Sequence, residues 1–305
     1  MFKRILVPLD GSALAETALA PALVLAERFG AELLLVRTIL THVFPGAHPG
    51  PAQLEALHEA ERYLALISAG LRGKNVPIYT AIPYDAPAAG IADQAEFRHV
   101  DLIVMATHGR KWPETLLHKS VTMSLLEHTP APILALRVKE EGVGASGTQL
   151  PRFMTDPHAP ILVPLDGSSL SESALPVAER LARSFDNSLV LVRAAEMPHA
   201  VSVTPGAPVI LVGVGEAILE ETNTYLRRKQ QEAIHRGMRV SIESTTSTPA
   251  WFIGECAQAH NAGLVVMASH GRSGLGRWLL GSVAQSVLRE SAVPVFLVRA
   301  SDAVS

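Results

Sequence analysis

The chain has 305 residues, enough for two ordinary domains, and its 48% hydrophobic and 18% charged residues describe a soluble globular protein. Lys and Arg number 26 against 29 Asp and Glu, a formal charge of −3, which argues against nucleic acid as a partner and leaves no polybasic membrane signal. A single cysteine, Cys256, excludes an intramolecular disulfide and fits a reducing, cytoplasmic setting.

The opening MFKRILVPLDGS reaches Asp10 and a Gly-Ser turn too soon for the apolar region of a signal peptide. The apolar stretch 13–36 is broken by Glu16, Pro21, Glu27, Arg28 and Glu32, so it is not a membrane span. Residues 3–37, KRILVPLDGSALAETALAPALVLAERFGAELLLVR, align without gaps on 159–193, APILVPLDGSSLSESALPVAERLARSFDNSLVLVR, with more than half the positions identical. MATHGR (105–110) and MASHGR (267–272) repeat farther on, as do the tails 131–138 and 293–300. The spacing between copies is that of a duplicated domain, far too long for a solenoid repeat. The expected division is a first domain over 1–140, a Gly-, Ser-, Thr- and Pro-rich linker over 141–158, and a second domain over 159–305.

In the second copy PILVPLD is a short apolar run, as expected of a strand buried on both faces. Ser168 or Ser169 can cap a helix over 170–184. A second strand follows at 188–195, then a long connection, an amphipathic charged helix at 216–236, a strand at 239–245 and a helix at 249–260. A fourth strand at 264–269, a helix at 281–291 and a fifth strand at 294–299 complete the copy. Strands and helices alternating in this way predict an α/β fold, two doubly wound five-stranded parallel sheets in tandem.

Ligands in such folds sit beyond the carboxyl ends of the strands, where the strand order reverses. Asp166, Ala194 and Met267 to Gly271 would meet at one edge if the first and fourth strands are neighbours. After the fourth strand come Gly271, Arg272, Ser273, Gly274, Leu275 and Gly276, then Gly281-Ser282 at a helix start. Bare backbone amides and a helix N-terminus can cradle a polyphosphate. Asp166 suits a sugar hydroxyl or an exocyclic amine better than a phosphate. The plain alternatives are a glycine-rich connecting turn, and an Asp-Gly-Ser turn at Asp10 and Asp166 that only starts a helix. Neither GxxxxGK[ST] nor GxGxxG is present. Arg272 can reach a phosphate or stand as a solvated loop charge. His270 can move a proton or hold the loop by a ring hydrogen bond. Cys256 and His260, four apart on a helix, form at most a dyad and not a zinc site.

ILVPLDGS together with VMASHGRSGLGRWLLGSVAQSVLRESAVPVFLVR resembles the universal stress protein family, and both halves carry the likeness. The resemblance implies a Rossmann-like, HUP-type fold. Nucleotide-binding members have Gly, two residues, Gly, nine residues, Gly, then Ser or Thr. Here Ala268 stands in the first place, Gly271 in the second, and Gly281-Ser282 close the pattern after residues 272–280. By resemblance Pro164, Asp166 and Ala194 surround an adenosine, while Ala268, Gly271, Gly281, Ser282 and Val283 hold ribose and phosphates. With Met267, His270, Arg272 and Gly274 these make up the expected site, which contains no catalytic residue and no metal ligand. In the first copy the third-place glycine is Lys119, and Trp112 and Glu114 replace two more, so the ligand is expected mainly in the second; the alternative is that the cationic Lys119 itself contacts a phosphate.

The expected ligand is ATP, with ADP or AMP as variants and Mg2+ as companion to the phosphates. The resemblance also implies a pseudo-dimer of the two halves within one chain, with further homodimerisation left open. Three functional readings stand: a nucleotide-dependent stress-response regulator, a slow ATPase or adenylate-transferring enzyme, and a ligand-free scaffold. Residues 267–283 contain no Asp or Glu, so any ATP hydrolysis is expected to be weak.

Overall fold

A computed structural model of the chain describes residues 1–40, 50–71, 73–107, 121–129, 131–137, 150–195, 214–269 and 280–299. The chain divides into two compact units, Met1–Pro151 in the first, and Arg152–Leu275 with Gly281–Ser305 in the second.

In the first unit β1 (Arg4–Pro8) leads through α1 (Ala13–Glu16) and α2 (Leu19–Phe29) to β2 (Glu32–Val36). Next come α3 (Pro51–Gly70), β3 (Ile78–Ala81), α4 (Pro87–Phe97), β4 (Leu102–Thr107), α5 (Val121–His128) and β5 (Ile133–Arg137). The second unit begins with a helical turn, α6 (Arg152–Thr155), and then repeats the series. It runs β6 (Ile161–Pro164), α7 (Ser169–Glu172), α8 (Ala174–Phe185), β7 (Leu189–Ala194) and α9 (Val214–His235). β8 (Val240–Thr245), α10 (Pro249–Ala259), β9 (Leu264–Ala268), α11 (Ser282–Glu290) and β10 (Val295–Val298) complete it.

Each sheet is parallel. The first has the order β3-β2-β1-β4-β5 and the second β8-β7-β6-β9-β10. Both therefore reverse direction between their first and fourth strands, as expected of a doubly wound fold. Ile5 pairs with Leu33 on one side and Leu102 on the other, and Ile161 likewise with Leu189 and Leu264. Ile5, Leu6, Val7, Ile161, Leu162 and Val163 are wholly buried, which is why the sequence reads there as an unbroken apolar run.

The Asp-Gly-Ser turn is the same in both copies. Gly11 and Gly167 take φ +88°, a conformation open to glycine and strained for other residues. Asp10 and Asp166 accept the amides of Ser12 and Ser168 at 2.9 and 2.8 Å. The two serine hydroxyls then cap the next helix by accepting from Ala15 and Ser171. The helix expected over 170–184 is two helices meeting at Ser173. Pro176 explains the break. It has no N–H for the residue 172 carbonyl, and its ring is tolerated only in the first turn of a new helix.

α6 lies in the stretch read from sequence as linker. Its Phe153 is fully buried and packs edge-on against Phe185, ring centres 5.4 Å apart. In the first unit Phe2 makes the same edge-on pair with Phe29 at 5.2 Å. Burial of one aromatic ring accounts for the order of these residues, since it removes a large apolar surface from water. Among the described residues no helix is long and apolar enough to cross a membrane.

Candidate functional site

Because β6 and β9 are neighbours, the chain leaves them in opposite directions and a crevice opens past their carboxyl ends. A cavity of about 610 Å³ lies there. That volume falls in the range of small-molecule and cofactor sites. Pro164, Leu165 and Asp166 line it from the end of β6, Val192 to Ala195 from β7, and Met267, Ala268 and Ser269 from β9. Ile218, Glu221 and Thr222 of α9 and Pro249 and Ile253 of α10 form further wall, and Gly281 to Ala284 close one side. Aliphatic surface thus meets a few polar groups at defined places.

The α11 side is fixed by the backbone of Ser269. Its amide donates to the Val298 carbonyl at 2.9 Å, and its carbonyl accepts the Gly281 amide at 2.9 Å. Gly281 is thereby tied to Ser269 at the tip of β9. Gly281 is the N-cap of α11, with φ −62° and ψ 146°, and has no side chain to bond the first-turn amides. Helix geometry gives the amides of Ser282, Val283 and Ala284 no acceptor within the helix. All three residues line the cavity, so the positive end of α11 faces it.

Asp166 stands past the end of the neighbouring strand β6. Its Oδ1 accepts both the Ser168 amide at 2.8 Å and the Ser168 hydroxyl at 2.6 Å, and its own amide donates to Ser171 Oγ at 3.2 Å. Arg193 places its guanidinium carbon 4.7 Å from the centre of the Tyr225 ring, which Arg228 approaches at 5.6 Å. The Tyr225 hydroxyl donates to Glu172 Oε1 at 2.9 Å, and Lys229 Nζ donates to Glu172 Oε2 at 2.8 Å. Burial, then the bond to Glu172, pushes the Tyr225 phenol far above its ordinary value, so it stays a neutral donor.

The universal stress protein family model matches residues 1–137 and 158–299, nearly the whole of both copies. The chain belongs to the universal stress protein family. It is 32% identical over 143 residues to a universal stress protein of Methanocaldococcus jannaschii, covering 46% of this chain and 81% of that one. A universal stress protein of Mycobacterium bovis is 29% identical over 204 residues, covering 66% of this chain and 62% of its own length. Among solved structures, a universal stress protein from Archaeoglobus fulgidus superposes with a TM-score of 0.71 at 19% identity, over 97% of this chain and 96% of that one. That structure speaks to the fold alone.

Within this family member the structure brings Pro164, Asp166, Ala194, Met267, Ala268, Gly281, Ser282 and Val283 around one cavity. His270, Gly271, Arg272 and Gly274 lie outside the described residues, as do Trp112, Glu114 and Lys119 of the first copy. The turn-forming role of Asp10 and Asp166 is present in both halves, and Asp166 adds a place on the cavity wall. Sequence reasoning missed Ser171, Arg193, Ser269 and the walls supplied by α9 and α10. Spacing held a signal for the last two: 218, 221, 222 and 249, 253 fall on single helix faces. Arg193 was read only as a strand residue, although the repeat keeps arginine at 37 and 193 alike.

The Cys256–His260 pairing does not form. His260 Nε2 lies 3.0 Å from Glu243 Oε1, while Cys256 is buried with its thiol pushed up to about 12 by desolvation and then by Glu243 and Glu255. Such a thiol is inert at neutral pH. Among the described residues no group of three or more His, Cys, Asp or Glu is placed to hold a metal ion.

Proposed function

We propose that the second half binds an adenine nucleotide, ATP in the first instance, and that the protein acts as a nucleotide-dependent regulator in stress response. One observation carries this reading: the side-chain-free N-cap of α11 opens onto the cavity at the strand-order reversal. The amides of Ser282 to Ala284 would meet the phosphates, helped by the Ser282 hydroxyl. Asp166, past the end of β6, would take a hydroxyl or amine of the nucleoside. A divalent cation would arrive with the phosphates rather than in a site of its own.

Enzymatic turnover is the weaker reading. The carboxylates among the cavity-lining residues are Asp166, which already serves its own turn, and Glu221, whose helix α9 packs on β7 and β8 rather than beside α11. A general base beside the phosphates is therefore wanting among the described residues, and turnover well below about 1 per second is expected. We also propose, on the duplication alone, that the two halves satisfy within one chain the pairing that single-domain relatives would make between chains. A monomer mass by light scattering supports this, and an obligate dimer counts against it.

Denaturing freshly purified protein and weighing the released small molecules tests the ligand directly. Calorimetry with ATP tests its place and number. A stoichiometry near one supports the second-half site; a stoichiometry near two overturns the one-site reading.

A further inference from the structure

The two halves place the same arginine differently. Arg37 and Arg193 are equivalents in the repeat, and each lies against a tyrosine ring, Tyr63 at 4.8 Å and Tyr225 at 4.7 Å. Each tyrosine donates to an equivalent glutamate, Glu16 or Glu172. A third acidic residue separates them. In the first half Glu59 of α3 closes on Arg37 with a 2.8 Å ion pair. Its counterpart on α9 is Glu221, and among the described residues neither Arg193 nor Glu221 has an ion-pair partner. Both line the cavity.

We propose that Arg193 is a further ligand-binding residue, a guanidinium held by Tyr225 that donates to an acceptor on the nucleoside part of the nucleotide. This rests on the nucleotide reading above and extends it. The position in the sheet decides which part of the ligand is met. β7 is separated from β9 by β6, so Arg193 stands about 10 Å across the sheet from the strand that leads to α11. Continued past the Pro164–Val192 pair, the register sets Ala194 level with Asp166 and Arg193 one residue before it, and Arg193 and Asp166 line the same cavity. The nucleoside end thus holds one fixed cation with two carboxylates, Asp166 and Glu221, a set that matches the mixed donors and acceptors of a base and ribose.

Stacking on Tyr225 makes the cation useful. A free arginine loses considerable rotamer freedom on binding, whereas one already laid on a ring loses less. The ring is itself held by Glu172, which Lys229 holds in turn. Tyr225 is therefore a positioning residue, acting through Arg193. In the first half Arg37 is neutralised by Glu59, so the equivalent cation is spent within the protein.

The test is calorimetric titration of the full chain and its Arg193→Met variant with AMP and with ATP, alongside thermal unfolding. Both affinities should fall about tenfold or more and by the same factor, because the contact is to the part the two ligands share. Unchanged affinities, or a loss confined to ATP, would overturn the assignment. Should Arg193→Met unfold early, Tyr225→Phe and Tyr225→Ala take its place. The Phe ring keeps the stack and the affinity, Ala loses both, and equal binding by the two variants overturns the proposal. Wild-type protein that takes up neither nucleotide fails at an earlier point, the nucleotide reading itself.

Discussion

Tyr225 donates its phenolic hydrogen bond to Glu172 at 2.9 Å, and the first half repeats the bond between Tyr63 and Glu16 at 2.9 Å. Each bond ties the long helix that follows the second strand to the turn that follows the first. Tyr225→Phe should lower the unfolding free energy by about 1 kcal/mol, the worth of one such bond when its acceptor keeps another partner. Glu172 keeps Lys229. Urea denaturation of the full chain checks this.

The same bonds set a pH dependence. Burial first, then the glutamate, raises both phenols above their ordinary value of 10.0. Above that value the unfolded chain releases protons that the folded chain keeps, so the folded state binds more protons and stability falls as pH rises. The contribution is complete below pH 10.0 and is lost on the alkaline side. Denaturation midpoints at about pH 9 and about pH 11 should differ less in a Tyr63→Phe, Tyr225→Phe double variant than in the wild type.

Glu179 is 7% exposed and takes a two-pronged bond from Arg236, at 2.6 Å from Nη2 and 3.0 Å from Nε. Arg236→Met would leave a buried carboxylate without its cation. Full loss from a buried pair is larger, but the arginine side is 46% exposed, so a cost of about 2 kcal/mol is expected. The midpoint of urea unfolding reads it.

Gly263 and Asp186 make opposite predictions from backbone geometry. A Cβ on Gly263 would stand 2.5 Å from the Phe153 amide nitrogen and 2.9 Å from its Cα, both backbone atoms unable to step aside. Gly263→Ala should cost about 1–3 kcal/mol or displace α6. Asp186 ends α8 with φ 58°, where its equivalent in the first half is Gly30 with φ 66°. Its ion pair to Arg239 joins side chains 80% and 61% exposed and is worth little. Asp186→Gly should therefore stabilise by about 0.5–1 kcal/mol, seen as a raised melting temperature.

These examples mark what the sequence can and cannot disclose. Strand positions were legible because ILVP and LVVMA are buried on both faces, whereas the pairing of β6 with β9 stood in the sequence only as a condition that the fold then met. The walls at Asp166 and Ala194 were legible because strand ends are, and Pro164 was legible only through the family resemblance. The Arg193–Tyr225–Glu172 arrangement was not, since it joins three separate elements and no local pattern marks it. Nor was Phe153, which reaches Phe185 by a different chain route from that by which Phe2 reaches Phe29. Tertiary packing chose both, and periodicity carries no trace of a partner distant in sequence.

Gly281 gives the sharpest functional prediction, because its backbone does not require glycine. At φ −62° and ψ 146° any residue is comfortable, so the missing side chain there reflects space rather than conformation. Its amide is already held by Ser269, and a substitution leaves that bond in place. Gly281→Lys, which installs the residue found at the equivalent Lys119, should fold with a melting temperature within a few degrees of wild type. On the proposed reading it should bind ATP at least about a hundredfold more weakly, since a four-carbon stem would stand where the phosphates meet the first turn of α11. Gly281→Ser separates space from charge. Its smaller side chain can cap the helix, so it should stabilise the fold slightly while weakening ATP by a smaller factor. Calorimetry on the two variants measures both effects, and ATP binding unchanged in Gly281→Lys would place the phosphates somewhere other than at α11.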